Sequence, residues 1–252
     1  MKTWRAVFRT LAILISTLIA FAAVLGMRAL GWIAPQLALR GRNATFRRWG
    51  RALCRAFGAR IRVEGTPPTG RFVLVTNHLS YVDIPLLGSL VDAAFIGKAD
   101  LRGWPLLGAV FDAADTIFID RSRKRDLVRV MGQVDAAMDR GLGLVFFPEG
   151  TSGKGDRILP LKGSLLQIAV TAELPVHWAT ITYGTVDGDP PPSHGVCWWG
   201  DEPLLPHYRR LSRLESFDAT IRFGEAPIAG TDRKALAEAL RSAMESRFEP
   251  ME

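Results

Sequence analysis

FVLVTNHLSYVD, residues 72–83, decides what kind of domain this is. Phe72 to Thr76 is a short, continuous apolar and β-branched run, the composition of a strand buried in a sheet. Asn77 and His78 end it with polar side chains. Ser80-Tyr81-Val82-Asp83 then carries the residue types of a helix start, so a helix is expected to begin between Ser80 and Asp83. A buried strand running into polar residues and on into a helix is the unit from which α/β sheets are built.

The alternation continues outward. Strands are expected at Arg60–Glu64, Ala94–Gly97, Thr116–Ile119, Leu142–Phe147, Val176–Tyr183 and Ala219–Phe223, each short and apolar or β-branched. Leu127, Val130, Met131, Val134 and Met138 mark one helical face between them. Leu236, Leu240, Met244 and Phe248 mark another, capped by Thr231 or Asp232. Asp187–Pro192 (DGDPPP) is a loop, and Trp198-Trp199 reads as a core aromatic pair. The expectation is one α/β domain over residues 60–252, a largely parallel mixed sheet flanked by helices. Four of the strands run into polar residues: Asn77-His78, Lys98, Asp120-Arg121 and Pro148-Glu149-Gly150-Thr151. Ligands of open α/β sheets gather beyond the carboxyl ends of the strands, so those four ends outline one site.

Residues 1–59 differ in kind. No acid precedes Glu64, whereas 12 of the 32 basic residues fall in that stretch, and the remaining 20 face 25 acids. The net charge of +7 therefore conceals a basic N-terminal quarter on a mildly acidic body, a docking surface for nucleic acid or anionic lipid. Leu11–Met27 is uncharged and at the lower edge of bilayer-spanning length. It fits a retained membrane anchor, a half-buried hairpin, a buried core helix or a cleaved signal. Phe46, Trp49, Leu53 and Phe57 form an apolar helical stripe with Arg47, Arg48, Arg51 and Arg55 opposite. Such a helix either lies among lipid headgroups or packs on the domain. Charge beside so apolar a segment favours lipid over nucleic acid, and residues 1–59 are expected to form a hydrophobic and amphipathic helical membrane anchor. Cys54 and Cys197 are isolated, and the four histidines lack ligand spacing, so no disulfide framework and no metal are expected.

His78 and Asp83 are the candidate catalytic pair. A carboxylate on one imidazole nitrogen fixes the tautomer and leaves the other nitrogen as an outward acceptor. The same residues fit a capping box from Ser80 to Asp83, so spacing alone leaves both uses open. The glycine-rich run Gly150–Gly155 is not a P-loop: Pro148 stands where the first Gly is required and Gly155 replaces the Ser or Thr.

Asn77-His78-Leu79-Ser80-Tyr81-Val82-Asp83 resembles the NHxSxxD motif of the glycerolipid acyltransferases, the family that includes the PlsC-like 1-acyl-sn-glycerol-3-phosphate acyltransferases. Further blocks follow in family order: Lys98–Gly108 (KADLRGWPLLG), Thr116–Arg121 (TIFIDR), Phe147–Thr151 (FPEGT) and, weakly, Leu174-Pro175-Val176. The likeness covers roughly residues 60 to 185. It implies a membrane O-acyltransferase acting at the cytoplasmic face. The enzyme would move a fatty acyl group from acyl-CoA or acyl carrier protein to a lysophospholipid hydroxyl, first of all that of 1-acylglycerol-3-phosphate, with no cofactor beyond the thioester co-substrate. It also implies His78 as general base, Asp83 as its partner, and Arg121, Glu149, Gly150 and Thr151 around the acceptor. A thioester is already activated, so no enzyme nucleophile is required, and backbone N–H groups at the helix start are expected to hold the oxyanion.

Three positions depart from the family pattern. Asp115 replaces a Gly, Ser152 replaces the Arg that follows FPEGT in the family and helps bind the acceptor phosphate, and His177 replaces an apolar residue. Lys154, Arg157 or Lys162 would have to supply that charge. Otherwise the acceptor is another lyso-lipid, such as lyso-ornithine lipid. A non-catalytic membrane-surface module would explain the basic N-terminus but not four polar strand ends.

Overall fold

The computed structural model describes residues 2–103, 107–113, 115–120 and 126–251. Helices α1 (Lys2–Leu30) and α2 (Pro35–Phe57) form an antiparallel hairpin leading into β1 (Ala59–Glu64). Then come β2 (Val73–Thr76), α3 (Asp83–Gly88), β3 (Ala93–Lys98), a 3₁₀ turn (Ala99–Gly103), α4 (Leu107–Ala113) and β4 (Ile117–Ile119). The chain continues through α5 (Asp126–Asp139), β5 (Gly143–Phe146), α6 (Gly163–Thr171) and β6 (Val176–Thr185). Short helices α7 (Pro192–Gly195) and α8 (Leu204–Leu211), strand β7 (Phe217–Phe223) and α9 (Arg233–Glu245) complete it.

The seven strands make one sheet in the order β1-β7-β6-β2-β5-β3-β4. All neighbours are parallel except β6 and β7, so β1 and β7 run against the other five. The sheet is mixed and largely parallel, as expected from the buried apolar runs. Those runs carry no direction, which is why the reversal at β7 was not visible in them.

Alternate residues of the central strands feed two cores. Val73 and Val75 of β2 and Leu144 and Phe146 of β5 meet α5, α6 and α9 on one face. Leu74 and Val145 meet α2, α3 and α8 on the other. On α9, Leu236, Leu240 and Met244 are buried as their spacing predicts, while Phe248 packs on the same core from just beyond the helix. Asp232, rather than Thr231, is the cap: its carboxylate accepts from the N–H groups of Lys234 and Ala235 at 3.0 and 2.8 Å.

Helix α2 turns its apolar stripe onto the domain. Leu53, Cys54 and Phe57 belong to the core beneath the sheet, and Phe46 and Trp49 pack against it. Of the two uses its amphipathicity allowed, packing on the domain is the one observed. Gly50 permits the contact, because a Cβ there would come within 2.6 Å of the Pro85 carbonyl oxygen in α3. Helix α1 lies along α2 with most of its apolar residues outward. Among the described residues it is the one helix long and apolar enough to cross a membrane. Phe8, Leu11, Ile15, Leu18 and Ile19 are each at least half exposed.

Several of the N-terminal arginines are committed inside the protein. Arg9 is buried and donates to the carbonyls of Ser212, Leu214 and Glu215 at 2.9–3.3 Å. Arg42 pairs with Asp115, and Arg47 with Asp92. The exposed basic surface is correspondingly smaller than the charge count suggested. Asp115 itself has φ +56°, the left-handed region that favours glycine, which accounts for the family's Gly there. Asp is among the few residues that tolerate that conformation.

Candidate active site

The residues of the 77–83 loop are placed by the carboxyl end of β2. Where the backbone leaves the sheet, Asn77 continues the pairing with its side chain: Nδ2 donates to the Ile181 carbonyl at 2.9 Å and Oδ1 accepts from the Ile181 N–H at 2.7 Å. That anchor fixes the next residue, His78. Its ring stacks on Phe147 at 4.0 Å between centroids, and its Nδ1 lies 2.7 Å from Asp83 Oδ2.

Asp83 has no exposed surface and receives four donors. Oδ2 accepts from His78 Nδ1 and from the N–H groups of Leu79 at 2.7 Å and Ser80 at 3.0 Å; Oδ1 accepts from Tyr183 Oη at 2.5 Å. Every one of these groups donates, so both oxygens serve as acceptors. This arrangement makes Nδ1 of His78 the protonated nitrogen and leaves Nε2 as the acceptor. The capping-box alternative is only half realised: Asp83 takes the Ser80 N–H, but the Ser80 hydroxyl makes no return bond among the described residues. The helix begins at Asp83 with Val82 at its cap position. The loop N–H groups expected to serve the oxyanion are also committed, since Leu79 and Ser80 donate theirs to Asp83.

Glu149, at the end of β5, is 3% exposed and braces this loop from below. Oε2 accepts from the His78 N–H at 3.0 Å and Oε1 from the Leu159 N–H at 2.9 Å. Burial first, with a smaller contribution from Asp83 nearby, pushes its carboxyl up to about 7 against the two backbone donors, His78 and Leu159 N–H. Gly150 takes φ +75°, a turn that needs glycine, and the following backbone returns so that Gly153 N–H reaches the His78 carbonyl at 2.8 Å.

Above the loop a cleft of about 510 Å³ opens along the carboxyl ends of the parallel strands β2, β5 and β3. His78, Gly150, Thr151 and Ser152 line it, with Phe95, Phe111 and Phe146 among its apolar walls. Glu149 lies beneath it and is not among its lining residues. Lys98 is the one Lys or Arg lining the cleft among the described residues, and Asp100 lines it two positions away. Lys154 pairs with Asp156 at 3.4 Å, and neither Arg157 nor Lys162 reaches the cleft wall. Arg121 lies outside the described residues. Among the described residues no cluster of His, Cys, Asp and Glu is arranged to hold a metal ion.

Three contributors escaped the sequence. Tyr183 is an aromatic in a strand-like run, 100 residues from the carboxylate it touches. Asn77 was visible as a polar strand end and as part of the motif, but not as the side chain that continues the sheet pairing. Trp198 is not half of a core pair. It lines the cleft, while Trp199 is 37% exposed. The unusual pairing of two tryptophans with Gly200 was the available hint.

Residues 60–183 match the family model described as Acyltransferase. The lyso-ornithine lipid O-acyltransferase of Pseudomonas aeruginosa is 34% identical over 242 residues, 90% of this chain and 91% of that protein. This chain belongs to the glycerolipid acyltransferases. The acyltransferase family also supplies a relative named 1-acyl-sn-glycerol-3-phosphate acyltransferase, from Neisseria meningitidis, 32% identical over 56% of each chain. The crystal structure of the 1-acyl-sn-glycerophosphate acyltransferase of Thermotoga maritima shares the fold. Its TM-score is 0.70 over 98% of both chains, at 22% identity. The acyltransferase is therefore an enzyme of the lysolipid-acylating type, built on the α/β sheet described above.

Proposed function

We propose that this acyltransferase esterifies the free hydroxyl of a lyso-ornithine lipid, using an acyl thioester as donor. The observation that carries the choice of acceptor is the charge lining the cleft. Among the described residues Lys98 and Asp100 balance one another, and Ser152 stands where the family's arginine would hold a phosphate. An ornithine headgroup whose α-nitrogen is acylated presents one carboxylate and one ammonium, which matches such a lining. A phosphate monoester, close to a dianion at neutral pH, leaves Lys98 outweighed. The long match to the Pseudomonas relative supports the same acceptor. The second reading is 1-acylglycerol-3-phosphate, favoured by Arg121 in the TIFIDR block and by the Neisseria relative.

His78 acts as general base. Its Nε2 takes the proton from the acceptor hydroxyl while the oxygen attacks the thioester carbonyl, and Asp83 stabilises the imidazolium that forms. Collapse of the tetrahedral intermediate breaks the C–S bond, and the imidazolium returns its proton to the departing sulfur. Such base catalysis contributes about 10²–10⁴-fold in rate. Lys98 and Thr151 contact the headgroup, and the phenylalanine walls take the acyl chains. The donor is acyl-CoA or acyl carrier protein.

The enzyme works from the membrane surface. Helix α1 is fastened to the domain at both ends and between: Arg5 and Arg9 to the 212–215 loop, Thr17 to Trp49, Arg28 to the Asp112 carbonyl. A domain cannot sit on both sides of a bilayer, so α1 lies in one leaflet with its apolar stripe about 5–10 Å into the lipid. Trp32 and Ile33, 93% and 86% exposed at the hairpin turn, extend the buried surface.

Purified protein given one labelled acyl thioester and separate lyso-ornithine, lysophosphatidate and lysophosphatidylcholine acceptors tests the proposal. Lyso-ornithine lipid should give the highest kcat/KM, and His78→Ala should abolish transfer to it. A clear preference for lysophosphatidate would replace the first reading with the second.

A further inference from the structure

The stretch Trp198-Trp199-Gly200-Asp201 crosses the catalytic loop as a strap. Trp198 N–H donates to the Leu79 carbonyl at 2.8 Å, while Gly153 N–H donates to the His78 carbonyl at 2.8 Å. The base and the residue after it are thus gripped from two sides, His78 by the loop after β5 and Leu79 by the strap. These two gripping segments are joined to each other, because Ser152 Oγ donates to the Trp198 carbonyl.

The strap is itself anchored. Trp198 Nε1 donates to the Glu202 carbonyl at 2.7 Å, Glu202 pairs with Arg210 at 2.8 Å, and Cys197 N–H reaches the Pro192 carbonyl at 2.9 Å. Beneath it the Trp198 ring meets Tyr81 edge-on at 5.8 Å, and the Tyr81 hydroxyl bonds to Nδ1 of His207, a residue with no exposed surface. Trp198 and Gly200 form part of the cleft wall.

We infer that the strap, through Trp198 and Gly200, is the acceptor-selecting wall of this enzyme and that Ser152 is the latch holding the wall in place, which fits the cleft to a headgroup without a phosphate monoester. The inference rests on the acceptor reading above. Its physical basis is that the closed strap and an arginine at position 152 exclude one another. Arginine would set a methylene where the serine oxygen now meets the Trp198 carbonyl. That carbonyl would lose its donor, and the longer side chain would compete with Trp198 and Gly200 for the same stretch of cleft wall. Ser152 is therefore one part of a different wall, and the change at 152 and the unusual Trp-Trp-Gly segment are a single feature.

The test uses full-length Ser152→Ala, Ser152→Arg, Trp198→Leu and the Ser152→Arg/Trp198→Leu double variant in mixed micelles. The readouts are kcat/KM for lyso-ornithine lipid and for lysophosphatidate, KM for the thioester, and the melting temperature. Ser152→Ala removes one neutral hydrogen bond, so the ratio of the two acceptors should fall about fivefold while donor KM stays within about twofold. Ser152→Arg alone should lower kcat/KM for both acceptors, and only the double variant should gain on lysophosphatidate. A folded Ser152→Arg protein that gains lysophosphatidate activity with Trp198 intact would overturn the latch. An unchanged acceptor ratio in both Ser152→Ala and Trp198→Leu would overturn the wall. The acceptor reading fails separately, through a wild type that does not use lyso-ornithine lipid. In that case the wall is judged on the ratio between the acceptors that wild type does use.

Discussion

Replacing Asp83 by Asn separates what this carboxylate does for the fold from what it does for the reaction. Every group that touches it is a donor: His78 Nδ1, the N–H groups of Leu79 and Ser80, and the Tyr183 hydroxyl. An Asn placed with its oxygen at the Oδ2 position keeps the first three. Its NH₂ then faces Tyr183, whose hydroxyl rotates to accept instead of donate. The bond count survives and the His78 tautomer survives. Only the negative charge is lost, and with it the stabilisation of the imidazolium. Turnover should fall by about 10²–10⁴-fold, equivalent to roughly 3–5 kcal/mol in the transition state. Stability should change by no more than about 1 kcal/mol, a few degrees in melting temperature for a chain of this size. Asp83→Ala should lose that charge and damage the fold as well. It strands two backbone N–H groups and a tyrosine hydroxyl in a buried site, at about 1–3 kcal/mol each, a large part of a typical stability of 5–15 kcal/mol. Thiol release from the acyl thioester measures the first quantity and thermal melting in detergent the second. An Asp83→Asn protein retaining more than about a tenth of wild-type turnover would refute the charge argument. One that had lost activity by unfolding would refute the hydrogen-bond count.

Tyr183→Phe should lower kcat about tenfold without moving acceptor KM, because it removes one of four donors from a buried carboxylate and touches no substrate; an equal rise in KM would mean that the hydroxyl contacts the acceptor. Glu149→Gln should change the pH dependence of stability. With its folded carboxyl at about 7 and the unfolded one near 4.5, wild type binds more protons folded than unfolded in that window. Its stability relative to the Gln variant should therefore fall as pH rises from about 4.5 to about 7, by on the order of 3 kcal/mol at most, and then level off. Denaturant titrations across that pH range check it, and a difference independent of pH would contradict it. Replacing both Leu11 and Leu18 by Ser should weaken binding to anionic vesicles by at least about 30-fold, since each half-exposed leucine contributes about 1–2 kcal/mol of burial in lipid, while activity in micelles persists. Unaltered flotation would count against the outer stripe as the membrane face.

The sheet was legible because its strands are uninterrupted apolar runs closed by polar residues, and FVLVT followed by Asn-His is the clearest of them. The pair His78 and Asp83 was legible for the same reason, a short turn confining two side chains to one place. What stayed hidden depends on contacts between distant residues. Nothing around Tyr183 distinguishes it from a core aromatic until β6 is laid beside β2. The reversal of β7, which brings Ala219 opposite Tyr183, leaves no trace in an apolar pattern. The inward face of α2 was ambiguous because a stripe that suits lipid suits a protein core equally well. Only the approach of Gly50 to the Pro85 backbone, between segments distant in sequence, resolves it.

The bonds of Arg9 carry a practical consequence for anyone preparing this enzyme without detergent. Cutting away helix α1 would not liberate a soluble body. It would strip the donor from three carbonyls at the entrance to β7 and lay bare the flank of Trp49, so the shortened protein would be expected to aggregate. Solubility has to come from recolouring the helix. Polar residues belong at Val7, Leu11, Leu14 and Leu18, on the side away from the sheet, while Arg5, Arg9, Thr17 and Arg28 keep their grip. A version altered in that way would let the acylation chemistry be followed on short-chain acceptors in plain buffer, with the lipid surface taken out of the measurement.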